Sequence, residues 1–198
     1  MGNLVTDDVV KQKIAALKSI IPQDVIGLEY NSANVTYTYD NLISACERGL
    51  TDGASANTLF IGESMGAYLA AQLAAKYKAW AHLTVPVVNV YDDVFVKVMK
   101  NKTSWSFGGG TVSMTEAQAR EFGAKQQDPR TVLGANRIAV AVASNDTLLG
   151  SADATSYYSG KCTTFFVSRI IGHGSISDVN AWKCSQQILY TALAANVE

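Results

Sequence analysis

The stretch NTLFIGESMGAYLAAQLAAKY, Asn57 to Tyr77, restricts the fold more than any other part of the chain. An apolar run ends in a Gly-x-Ser-x-Gly pentapeptide, Gly62-Glu63-Ser64-Met65-Gly66, and an alanine-rich amphipathic stretch follows. A strand that turns directly into a helix crowds the flanking positions and forces the central residue into a strained backbone conformation. Residues with little or no side chain are needed on either side. A serine at the centre holds its hydroxyl clear of the sheet at a helix N-terminus. There the Met65 amide and the helix dipole can stabilise a developing oxyanion. The pattern predicts a buried strand, a covering helix and a nucleophile, Ser64.

The rest of the chain alternates in the same way. DDVVKQKIAALKSII places Val10, Ile14, Leu17 and Ile21 on one helical face, with Asp7 and Asp8 at the favourable end of the dipole and Pro22 as a stop. DVIGLEYN reads as a strand, YDNLISACERGLTDG as a helix running into a turn, and WAHLTVPVVNV as a strand interrupted at Pro86. From Tyr91 to Pro129 a lid-like insertion is expected: a helix in YDDVFVKVMKNK, an irregular loop in TSWSFGGGTV, and a helix capped by Ser113 and Glu116. RIAVAVASND and CTTFFVSRI are further strands around a short helix in GSADATSYYSG, and VNAWKCSQQILYTALAA closes the chain as a helix. Alternating strands and helices without a repeat predict an α/β three-layer sandwich with a mainly parallel sheet, as one domain over residues 1–198.

Composition narrows the function. With 48% hydrophobic and 17% charged residues the chain reads as a soluble globular protein, and a net charge of −1 supplies no basic surface for nucleic acid or membrane. The start MGNLVTDDVV has no secretory pattern. Its Met-Gly with Thr6 fits a loose myristoylation pattern, but no polybasic second anchor follows. Cys46, Cys162 and Cys184 match neither a disulfide framework nor a zinc pattern, so free thiols and a cytoplasmic setting are expected. No metal or cofactor is called for. Asp92 and Asp93 suit a helix start, and the glycine-rich Phe107–Thr111 lacks the Lys-Ser/Thr ending of a phosphate loop.

A serine nucleophile needs a base and an orienting acid. Of the two histidines, His82 lies inside a strand and reads as a core residue, whereas His173 sits between Gly172 and Gly174 in the loop after the last strand. Asp146 ends the penultimate strand at the carboxyl edge of the sheet, where open α/β sheets bind ligands. It is the expected acid; a turn or N-cap role competes for it, Asp153 is the fallback, and Asp178 suits the N-cap of the final helix. The chain order Ser…Asp…His is that of α/β-hydrolases. Trp105 and Phe107 in the insertion are candidate acyl contacts.

Five segments, LFIGESMGAYLA, VPVVNVYDDVFVKVM, SWSFGGGTVSMTEAQAREF, AVASNDTLL and IGHGSISD, resemble the small α/β-hydrolases of the YqiA-like esterase family, from about Asp24 to the C-terminus. The resemblance implies an esterase acting on short acyl chains, with Ser64, Asp146 and His173 as its triad and a small-molecule ester as substrate. One departure stands out. The family begins with a strand ending in a His-Gly loop that donates the second oxyanion amide, and no His-Gly precedes the first helix here. A reduced N-terminus is expected, with DVIGLEYN or NLVT beside NTLFIG and an amide near Tyr30 and Asn31 as substitute donor. A second copy of the chain, in a homodimer, is the other way to fill that position. A hydrolase-fold binding or interaction module with an idle triad is the alternative function.

Overall fold

A computed structural model of the chain describes residues 7–21, 24–28, 35–50, 53–107 and 110–174, and residues 182, 183, 186, 187 and 194 of the C-terminal stretch. The helix α1 (Asp7–Lys18) comes first, then a two-residue strand β1 (Val35–Thr36) and α2 (Tyr39–Arg48). The elbow joins β2 (Leu59–Glu63) to α3 (Met65–Tyr77), and β3 (Trp80–Thr84) follows. A π-helix (Val90–Val98), β4 (Ser104–Phe107), β5 (Gly110–Ser113), α4 (Glu116–Lys125) and α5 (Pro129–Leu133) make up the insertion. The chain then returns to the sheet with β6 (Ile138–Ala143), α6 (Ala152–Tyr158) and β7 (Thr164–Ser168).

The main sheet has the order β2-β3-β6-β7 and is parallel throughout. Its inner strands are buried on both faces, as a parallel sheet between helical layers requires. On one face Phe60, Leu83, Val140 and Val142 join Leu69 and Leu73 of α3 and Phe122 of α4 in the main core. On the other, Ile61 packs with Leu17 and Ile21 of the N-terminal segment and with Trp182. The fold is therefore α/β with helices on both sides of the sheet.

Several local expectations change. TSWSFGGGTV contains strands, not only irregular loop: β4 pairs antiparallel with β5, and β5 pairs parallel with β1 in a second, three-stranded sheet. The capping box belongs to Thr115 and Gln118, because Ser113 is held in β5, where its carbonyl accepts the Tyr37 N–H at 2.8 Å. The helix in YDDVFVKVMKNK is wide. The Asn89 side chain accepts the Tyr91 and Asp92 amides, the Asp93 carboxylate accepts those of Val88 and Asn89, and Met99 donates back to Val94.

Asp24–Leu28 of DVIGLEYN forms no strand. Ile26 is 64% exposed, whereas a buried parallel strand would have to cover it. These residues instead wall a groove of about 430 Å³ that runs along the outer edge of β2 between α1 and α3. Among the described residues no strand pairs with that edge. NLVT, Tyr30 and Asn31 lie outside the described residues.

His82 occupies the middle of β3, fully buried and edge-on to Trp182 with ring centroids 6.2 Å apart. Burial disfavours the imidazolium and pushes the pKa down to about 3. The native state holds His82 neutral while the unfolded chain takes up a proton near pH 6.5. Its contribution is thus complete above pH 6.5 and is lost as pH falls toward 3, at about 1.4 kcal/mol per pH unit. Urea denaturation at pH 7 and pH 5 should show wild type losing roughly 2 kcal/mol more than His82→Gln over that interval.

Candidate active site

The site begins with backbone crowding. A Cβ built on Gly62 would stand 2.1 Å from the Gly66 carbonyl oxygen, so the strand and the first turn of α3 can approach this closely only because position 62 has no side chain. Between them Ser64 adopts φ 57° and ψ −123°, a conformation that few residues outside glycine tolerate. The surrounding structure holds it there. The Ser64 N–H donates to the Thr84 carbonyl at 3.0 Å, and the Ser64 carbonyl accepts from Ala67, Tyr68 and Val87. Met65, as the first residue of α3, has an N–H without an intrahelical acceptor.

The loop after β7 brings His173 to this hydroxyl. Ser168 Oγ accepts the amides of Ile170 and Ile171, Asn145 Oδ1 accepts that of Gly172 at 3.1 Å, and the Ile171 carbonyl accepts that of Gly174. Gly172 itself takes φ 53°, which allows the turn. His173 Nε2 lies 2.8 Å from Ser64 Oγ, and Nδ1 lies 2.9 Å from Asp146 Oδ2. An ionised carboxylate only accepts, so Nδ1 carries the proton and Nε2 is free to accept from the serine hydroxyl. Ser168 and Asn145 are the supports that reading by motif missed; each is a small polar residue at a strand end, which gives them no distinctive signature.

Asp146 fills both roles considered for it, on separate oxygens. Oδ2 faces His173, while Oδ1 accepts the amides of Leu148 at 2.8 Å and Leu149 at 3.1 Å. Its side chain is 1% exposed. Burial pushes the carboxyl pKa up, but the hydrogen bond and charge of His173 and the two amides outweigh it and hold it below the ordinary carboxylate value. Asp153 is engaged elsewhere, with Lys97, and Asp178 lies outside the described residues.

Trp105 is part-buried and packs against the main core, standing opposite Val112 in the hairpin. Phe107 ends β4 opposite Gly110, and its side chain lies outside the described residues. Asp93 is tied to Lys97 at 2.8 Å, and among the described residues no group of three or more metal-ligating side chains comes together. No described helix is long and apolar enough to cross a membrane.

No family model matches the chain, and no curated protein matches it. Solved structures of similar shape include the esterase domain of a Rhodothermus marinus protein, at 12% identity and a TM-score of 0.49 over 77% of this chain. Another is the glycosylation-associated protein (Gap123) complex from Streptococcus agalactiae, at 18% identity and a TM-score of 0.43 over 75% of it. The chain spans 66% and 31% of those two chains, under two thirds of either. Likenesses this distant carry no functional inference.

The crowding at position 62 has a measurable consequence. Gly62→Ala should cost at least about 3 kcal/mol in chemical denaturation, because the Gly66 backbone must move. Gly123→Ala is the control. It lies within α4 with nothing inside 4 Å of its Cβ position, and should gain about 0.5–1 kcal/mol.

Proposed function

We propose that the protein is a serine hydrolase, an esterase or thioesterase acting on a small acyl ester, with Ser64 as nucleophile, His173 as general base and acid, and Asp146 as the orienting carboxylate. One observation carries this reading: the unbroken chain Ser64 Oγ, His173 Nε2, His173 Nδ1, Asp146 Oδ2, with contacts of 2.8 and 2.9 Å at a strained strand-to-helix turn. A serine hydroxyl in an ordinary helix cap has no need of backbone strain or of a buried carboxylate two contacts away.

In the proposed reaction Ser64 Oγ attacks the acyl carbon while His173 Nε2 takes the hydroxyl proton. Asp146 stabilises the resulting imidazolium, and the Met65 amide and the α3 dipole face the oxyanion. Collapse of the tetrahedral intermediate breaks the ester or thioester bond, and the imidazolium returns its proton to the leaving oxygen or sulfur. Water, deprotonated by His173, then attacks the acyl-serine; collapse of this second intermediate breaks the bond to Ser64 Oγ, which regains the proton from His173 as the acid is released. Trp105 and Phe107 remain candidate acyl contacts. An amide near Tyr30 and Asn31 is the candidate second oxyanion donor, with a second copy of the chain as the alternative source. A cytoplasmic setting goes with this reading, because the spacing of Cys46, Cys162 and Cys184 matches no disulfide framework.

Among the described residues no strand pairs with the outer edge of β2, and this favours a second reading, a binding module with an idle triad, since the strand that supplies the second amide in the resembling family would lie there. Loss of one oxyanion donor costs about 2.7–4 kcal/mol in the transition state, which slows such an enzyme without silencing it. A fluorophosphonate probe separates the two. Wild type should be labelled on Ser64 and Ser64→Ala should not, and Asp146→Asn should lower kcat on a short-chain p-nitrophenyl ester about 10⁴-fold. Folded wild type that stays unlabelled would overturn the hydrolase reading and leave the binding module.

A further inference from the structure

A buried ion pair lies directly beneath the site. Lys13 Nζ of α1 donates to Glu63 Oε1 at 2.8 Å, and the two residues are 5% and 6% exposed. Glu63 is the last residue of β2 and immediately precedes Ser64. Because side chains alternate along a strand, it shares its face with Ile61, which packs against the α1 layer. The same oxygen that accepts from Lys13 stands 3.6 Å from where a Cβ on Gly174 would be, so it faces the residue that follows His173 across a space that one methyl group would fill. One carboxylate therefore binds α1, faces the loop that carries His173, and belongs to the residue before Ser64.

We infer that Glu63, held by Lys13, is a positioning residue that sets the base loop against the elbow, so that His173 Nε2 meets Ser64 Oγ. The inference rests on the hydrolase reading for its activity readout only. Apolar packing of equal volume would stabilise this layer at least as well as a buried ion pair, so stability alone gives no reason for one here. An ion pair adds a fixed distance and direction. The ammonium on α1 pins the carboxylate, and the pinned carboxylate limits how far the turn at Gly174 can move toward the elbow. Neither group belongs to the Ser64–His173–Asp146 chain of contacts; they act through His173.

The test compares wild type with Lys13→Met, Glu63→Gln, the double variant Lys13→Met/Glu63→Gln, and Glu63→Asp. Three quantities are read: thermal midpoint, kcat and KM on p-nitrophenyl butyrate, and the downfield proton NMR signal of His173 Nδ1–H. Each single neutralisation removes the ion pair and keeps one of its buried charges, and should lower the midpoint. The double variant should recover the midpoint yet keep kcat down by about tenfold or more, with KM within about twofold of wild type and the Nδ1–H signal broadened. Glu63→Asp keeps the charge but draws the carboxylate back by one methylene. It should lower kcat with little change in midpoint, and it decides the matter if the double variant does not fold. Recovery of kcat and of a sharp Nδ1–H signal together with the midpoint would show a purely structural pair and overturn the inference. So would wild-type kcat and signal in Glu63→Asp. If wild type turns over no ester, the hydrolase reading falls, and the NMR signal alone decides: loss in the double variant supports positioning, retention overturns it.

Discussion

The contact between Gly62 and Gly66 is the constraint on which the rest of the structure depends. Their backbones approach so closely that a Cβ on Gly62 would overlap the Gly66 carbonyl. That approach tips α3 back across β2 and drives Ser64 into a positive φ. It also orients the first amides of α3 toward the carboxyl edge of the sheet. Strain at Ser64 is a local cost of order 1–3 kcal/mol, and it is offset by the surrounding burial: Met65, Ala67, Leu69 and Leu73 of the helix that the elbow aims into the core are each 2% exposed or less.

Around this elbow, each partner reaches the site from a different strand end. Asp146 leaves β6 in a turn that its own Oδ1 caps, and His173 leaves β7 in a loop held by Ser168 and Asn145. Parallel strands deliver all three to one edge, since every carboxyl end of a parallel sheet points the same way. The insertion supports this edge from outside. Lys97 of the π-helix joins Asp93 to Asp153 and donates to the Leu149 carbonyl, one peptide from an amide that Asp146 accepts.

Patterns of local origin were legible in the chain. The elbow, the continuous apolar run of β6, and the core reading of His82 follow from steric rules and burial that act over a few residues. Features decided by competition between neighbours were not. Thr115 displaced Ser113 as the cap because β5 had already taken Ser113 into a ladder, and TSWSFGGGTV gained strands because β1, more than 60 residues earlier, pairs with β5. Asp24–Leu28 has the apolar, β-branched composition of a strand but, among the described residues, none of its pairing.

By itself the amino-acid sequence determined the α/β class, the place of the strand-to-helix elbow and the chain order of Ser64, Asp146 and His173, because glycine sterics and hydrophobic periodicity are written in adjacent residues. Only the tertiary structure decided which oxygen of Asp146 faces the imidazole, what holds the base loop, and that Lys13 and Glu63, 50 residues apart, meet as a buried pair beneath it. Those outcomes depend on where packed layers bring distant side chains and on the desolvation that makes an unpaired charge intolerable there. Spacing along the chain carries no record of either.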